Sequence, residues 1–115
     1  MLTIGAVLFA VAAVGGIVMV LMHLKGSAIP TPLALLHGLL GAAGLVVLIL
    51  IVRGGAGNLL TISLILFVVA ALGGFVLFAN HLKKKPLSTP LIFIHAGVAV
   101  IAFVLLLATM IGGGA

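Results

Sequence analysis

Four runs of about twenty apolar residues, separated only by short polar connections, constrain this chain more than any other feature. Each run matches the length of helix that crosses the ~30 Å hydrocarbon core of a bilayer. In that core an uninterrupted apolar segment has to be helical, because only a helix satisfies its backbone hydrogen bonds within itself. The runs predict helices from about Leu2 to Leu24, Pro32 to Val52, Leu59 to Leu82 and Pro90 to Met110. Thr31-Pro32 and Thr89-Pro90 open the second and fourth, with Thr expected as the cap and Pro at the first helical position. Asn58 follows the Gly54-Gly55-Ala56-Gly57 run and is expected to cap the third, while Gly112-Gly113-Gly114-Ala115 is expected to form a frayed tail. The four runs take up nearly all of the 115 residues and leave no stretch within them for a soluble catalytic domain.

The second organising feature is an internal repeat. A shift of 58 residues places Thr3 on Thr61, Gly15-Gly16 on Gly73-Gly74, His23-Leu24-Lys25 on His81-Leu82-Lys83, Thr31-Pro32-Leu33 on Thr89-Pro90-Leu91, and His37 on His95. Apolar composition alone does not bring Thr, His, Lys and Pro into coincidence. The repeats, residues 1–57 and 59–115, are each a two-helix hairpin, and two crossings return the chain to its starting side. The hairpins are therefore parallel, related by a pseudo-two-fold axis along the membrane normal. The expected fold is an all-α, up-down-up-down four-helix transmembrane bundle made of two duplicated hairpins. The repeat, and the lack of an early basic residue, argue against reading the first segment as a signal peptide.

What is missing excludes several functions. The chain has no Asp, Glu or Cys, and only 4% of its residues are charged. It lacks carboxylates for general acid chemistry or for carrying protons through a membrane, which excludes the carboxylate-dependent four-helix multidrug transporters and ATP synthase rotor subunits. Thiol redox chemistry, iron–sulfur ligation and disulfides are excluded as well. The net charge of +5 reads as topology rather than nucleic-acid binding. Lys25, Lys83, Lys84 and Lys85 lie on one side and only Arg53 on the other. The positive-inside rule then predicts a multi-pass protein with Lys-rich loops cytoplasmic and both termini outside; the membrane is expected to be a bacterial inner one. The Lys83-Lys84-Lys85 run also suits contact with anionic lipid.

The four histidines carry the chemistry. His23 pairs with His81 in the repeat and His37 with His95, all near the Lys-rich end. His37 lies five residues beyond Pro32, about 7.5 Å deep at a rise of ~1.5 Å per residue. The depths place the four imidazoles in one expected layer, roughly 4–5 Å thick on the same rise. Each shares a helix face with small residues: His37 with Gly41 and Gly44, His95 with Ala99 and Ala102, His23 with Gly15 and Gly16, His81 with Gly73 and Gly74. Small residues permit close helix contact and equally leave room for a flat cofactor. Asn80, beside His81, is placed to orient an imidazole or to bond across the interface.

Three readings follow: interhelical hydrogen-bonding histidines with no cofactor, a b-type haem, or a bare copper or zinc ion bound by His23, His37, His81 and His95. For haem, His37 and His95 are the preferred axial ligands because they lie deeper and within helices. His23 and His81 then form a second pair or bond the propionates, with Lys25 and Lys83 on the propionate side. Two haems would need off-axis sites, such as His23 with His37 and His81 with His95. A zinc site usually recruits a carboxylate or Cys, and none exists here. Haem propionates would also supply negative charge beside the lysines, which a bare cation would not.

The paired histidines on facing helices resemble those of membrane b-type cytochromes built on four-helix bundles. The His23-Leu24-Lys25…Pro32-Leu33…His37 hairpin also resembles that of small uncharacterised bacterial four-helix membrane proteins. The cytochrome resemblance implies haem b and electron transfer, with quinol or a larger redox complex as partner. This chain departs from that pattern in being short and in having no histidine near its outer face. The other expectation is a non-catalytic accessory or assembly subunit of a larger membrane complex, or a homo-oligomer. In either case the chain reads as an electron carrier or accessory subunit rather than an enzyme.

Overall fold

The computed structural model describes residues 1–112 and consists of four α-helices: α1 (Leu2–Leu24), α2 (Thr31–Arg53), α3 (Asn58–Leu82) and α4 (Thr89–Ile111). The helices follow the four apolar runs to within a residue or two. All four are long and apolar enough to cross a membrane. The longest dimension is 43 Å, about the thickness of a bilayer with its headgroups. The expected tail falls at residues 113–115, outside the described residues; Gly112 caps α4.

The inside and outside of the bundle are assigned as lipid solvent requires. Large aliphatic side chains cover the exterior, among them Ile4, Val14, Leu72 and Ile94. Small residues supply much of the interior: Gly5, Ala6, Ala12, Gly44, Ser63, Ala70 and Ala102. Lipid tails solvate leucine as well as another leucine does, so close backbone approach and dispersion, rather than water exclusion, hold such helices together. The buried Ser63 hydroxyl donates to the Ala102 carbonyl at 2.7 Å and fastens α3 to α4.

α1 packs closely on α2 and α3 on α4, whereas the two hairpins touch less extensively, through α2 with α3 and α1 with α4. The diagonal helices are not neighbours. Buried residues concentrate at the end away from the lysines, around Leu48, Leu60 and Leu106. There Phe9 of α1 and Phe67 of α3 reach across one diagonal and stack face to face, 3.8 Å between centroids and 4° between planes. They occupy equivalent positions in the two repeats, so their contact lies on the pseudo-two-fold axis. Toward the lysines the bundle opens.

The helix starts differ from expectation in one instructive respect. Thr31 and Thr89 are the first helical residues rather than caps, and neither hydroxyl bonds its own helix end. Pro30 and Ser88 hold the cap positions, and Ser88 Oγ accepts from the Leu91 amide. Asn58 is likewise the first residue of α3, behind Gly57, and makes no cap bond. At the other ends of the hairpin loops the turns match: Ser27 N–H bonds Met22 O, and Lys85 N–H bonds Asn80 O, both at 2.9 Å. The left-handed residue is Gly26 in one turn (φ 74°) and Lys84 in the other (φ 56°). These turns place His23 and His81 at the ends of α1 and α3.

The Phe9 ring rests on Gly44, where an added Cβ would lie 2.7 Å from Cζ. Gly44→Ala is therefore expected to lower stability by about 1–3 kcal/mol through overpacking. Gly41→Ala, with nothing within 4 Å of its Cβ, should be neutral or slightly stabilising. Reversible unfolding in mixed detergent micelles measures both. Equal midpoints would show that the Phe9–Gly44 contact contributes nothing.

Candidate functional site

Each hairpin builds one imidazole mount from its own two helices. His37 of α2 leans onto α1, where Nδ1–H donates to the Ala12 carbonyl at 2.7 Å. The ring lies on Gly16: a Cβ there would be 3.1 Å from His37 Cε1. Repeat 2 reproduces the mount, with His95 Nδ1–H donating to Ala70 O at 2.7 Å and Gly74 set 3.1 Å from His95 Cε1 by the same measure. The small residues expected to share a face with His23 and His81 thus serve the neighbouring helix. They let the Cε1 edge of an imidazole come close to the backbone.

These bonds decide the tautomer. A carbonyl can only accept, so Nδ1 carries the proton in both rings. In the neutral ring, Nε2 is then a bare lone pair. Among the described residues neither Nε2 has a hydrogen-bond partner. A ring anchored through Nδ1–H to a backbone carbonyl, with Nε2 free, is the arrangement that protein metal sites use to orient a histidine ligand.

The two mounts face each other. His37 and His95 span the α2–α4 diagonal with centroids 6.1 Å apart and planes at 80°. The sequence-based pairing of these two residues across the axis is thus met in space. They border a cavity of about 680 Å³, nearly all apolar, with Phe9 and Phe67 at its deep end and His23 and His81 at its mouth. Along α1 it runs from Phe9 to His23, about 21 Å at ~1.5 Å per residue. Its volume lies within the ~300–1,000 Å³ range of small-molecule and cofactor pockets.

The expected single layer of four histidines is instead two tiers. His23 Nε2 shares a hydrogen bond with Thr89 Oγ1 at 2.9 Å, and His81 Nε2 with Thr31 Oγ1 at 3.0 Å. Thr31 and Thr89 each precede the deeper histidine of their helix by six residues, so the tiers are about 9 Å apart. Helix position sets the height of a Cα alone, whereas the His37 and His95 rings reach down to Ala12 and Ala70. Among the described residues no group of three or more His, Cys, Asp or Glu is arranged to hold a metal ion. Lys25 and Lys83 end α1 and α3 at the cavity mouth and are exposed. Among the described residues Asn80 has no side-chain hydrogen-bond partner, and His81 is flanked instead by Phe78, with centroids 6.4 Å apart.

Sequence reasoning missed Thr31 and Thr89 as partners of histidines, and Phe9 and Phe67 as the cavity floor. The repeat held the signal for both, since each is kept at equivalent positions. Compared with known proteins, the chain matches no family model, no curated protein and no solved structure.

The mounts make a direct prediction for imidazole ¹⁵N spectroscopy in lipid. In the neutral ring, His37 and His95 should both carry the proton on Nδ1. Gly16→Ala should disturb His37 alone and Gly74→Ala His95 alone, while Gly97→Ala, with open space around it, disturbs neither. Nε2-protonated rings in the unaltered protein would contradict the geometry.

Proposed function

We propose that this chain is a haem-b-binding membrane protein that carries electrons, with the iron held between His37 and His95. The observation that supports this reading best is the 6.1 Å separation of two backbone-anchored imidazoles across the hairpin interface. Two imidazoles bound to one ion from opposite sides, through metal–nitrogen bonds of roughly 2.0–2.1 Å, would have centroids about 6.4 Å apart once the ring radii are added, close to the separation found. The rings sit on opposite hairpins, so a flat macrocycle between them would lie in the slot where the hairpins touch least.

Haem iron, held by His37 and His95, would supply one-electron chemistry. The rest is done by this chain. Ala12 and Ala70 hold the rings in register through their carbonyls. Gly16 and Gly74 let the rings retreat against the helices and keep the slot clear. Phe9 and Phe67 close the end away from the lysines. Lys25 and Lys83 bring positive charge to the mouth, on the propionate side, in a chain with no acid of its own. A bare copper or zinc ion is served less well, because only two imidazoles converge and the upper tier is engaged with threonines.

The Lys-rich end is the cytoplasmic one on this reading, in a bacterial inner membrane, and a redox partner or quinol would exchange electrons there. The chain contains no cysteine, so single cysteines report topology directly. Ala56→Cys should react with an impermeant maleimide on intact cells, and Ser27→Cys only after permeabilisation. The opposite pattern reverses the orientation.

The cofactor is tested by a reduced-minus-oxidised spectrum of protein expressed with ample haem. A Soret and α-band are expected, lost in His37→Ala and in His95→Ala and kept in His23→Ala and His81→Ala. No band in the unaltered protein would sink the haem reading. A band that survives both deep-tier substitutions would move the ligands to His23 and His81.

A further inference from the structure

We propose that His23 and His81 are latches: each closes one of the two lateral seams between the hairpins against a threonine of the opposite hairpin. The flat ligand of the slot passes from the bilayer through those seams. The identity of the ligand rests on the reading above; the latches do not.

The polar connections of the bundle divide cleanly. Among the described residues, the side-chain hydrogen bonds of His37, His95 and Ser63 join helices within one hairpin, and those of Thr61, Ser88 and Thr109 are local. The two that join one hairpin to the other are His23–Thr89 and His81–Thr31. They fall one on each seam, the first across α1 and α4, the second across α2 and α3. Thr31 and Thr89 are free for this role because neither caps its helix.

The cavity also reaches the lipid-facing surface. Its lining includes strongly exposed residues from every helix, among them Ile17 (60%), Leu39 (58%), Phe75 (70%) and Val100 (61%). A side chain that lines a cavity and also faces outward marks an opening, and these openings are apolar. A hydrophobic disc dissolved in the bilayer reaches the slot through them without crossing the cationic mouth. Below the seams the hairpins meet through the Phe9–Phe67 stack. Separation of the lysine end about that contact widens the slot and breaks both latches. The latch tier stands about 9 Å from the deep pair along the helices, too far for His23 or His81 to share a metal held between His37 and His95.

The test is the Thr31→Val/Thr89→Val double variant in lipid nanodiscs, which removes both hydroxyls and keeps the side-chain volume. Spin labels at Lys25→Cys and Lys85→Cys, one on each hairpin, report the separation of the lysine ends. Intact latches should give a narrow distance distribution, and the double variant a broader one shifted to longer distance; Thr→Ser at both positions should restore the narrow one. With haemin bound, transfer to a haem-scavenging apoprotein should quicken about fivefold per latch lost, from the ordinary net worth of a hydrogen bond, with the absorption maxima unchanged. An unchanged distance distribution overturns the latch, whatever the protein binds. A broadened one in protein that never takes up haemin supports the latch and fails the haem reading instead.

Discussion

An imidazole laid against a glycine, its Nδ1–H held by a carbonyl on that same neighbouring helix, is the contact around which each half of this bundle is organised. It exists because Gly16 and Gly74 lack a Cβ. An alanine at either place would put a carbon 3.1 Å from the ring and push it into the slot. The contact brings α1 and α2 together in one hairpin and α3 and α4 in the other. It fixes which ring nitrogen carries the proton and leaves Nε2 without a hydrogen-bond partner among the described residues. In a membrane interior, where an unsatisfied polar group is costly, a carbonyl already used once by its own helix is the available acceptor.

Two levels of contact across the axis follow from this arrangement, at right angles and about 10 Å apart by helix rise. Phe9 and Phe67 bridge α1 and α3; His37 and His95 bridge α2 and α4. The lower level is apolar and closed, and the upper level lies in a cavity. The asymmetry along the membrane normal comes from residue size. Small residues and stacked rings close one end, whereas exposed aliphatics, glycines and the two histidine tiers border space at the other. All the lysines lie at the open end, so positive charge and cavity mouth coincide in a chain with no acidic side chain to neutralise either.

Duplication explains why the site falls on the axis. A pseudo-two-fold places any residue near the axis opposite its own counterpart, so a single histidine per hairpin becomes a facing pair and a single phenylalanine becomes a stack. Two departures from the repeat change how the helices of a hairpin meet. Gly44 beneath the Phe9 ring becomes Ala102, and Gly5 becomes Ser63, whose hydroxyl donates to that same Ala102. The tighter ring–glycine contact of one hairpin is replaced in the other by a hydrogen bond between helices.

Much of this was legible in the residues. Run length gave four crossings, because a bilayer sets one helix length. The 58-residue coincidence of His, Thr, Pro and Lys gave parallel hairpins and the pairing of His37 with His95, because two crossings restore direction. The absence of acids and cysteines excluded whole chemistries without reference to any fold. Tertiary structure alone decided which helix each small residue serves, because a helical wheel shows that Gly16 and His23 share a face but not that a neighbour's imidazole lies on it. It also divided the histidines into two tiers. Helix position gives the height of a Cα, whereas the height of an imidazole depends on which partner it reaches: a carbonyl deep on the adjacent helix for His37, a threonine hydroxyl across the seam for His23.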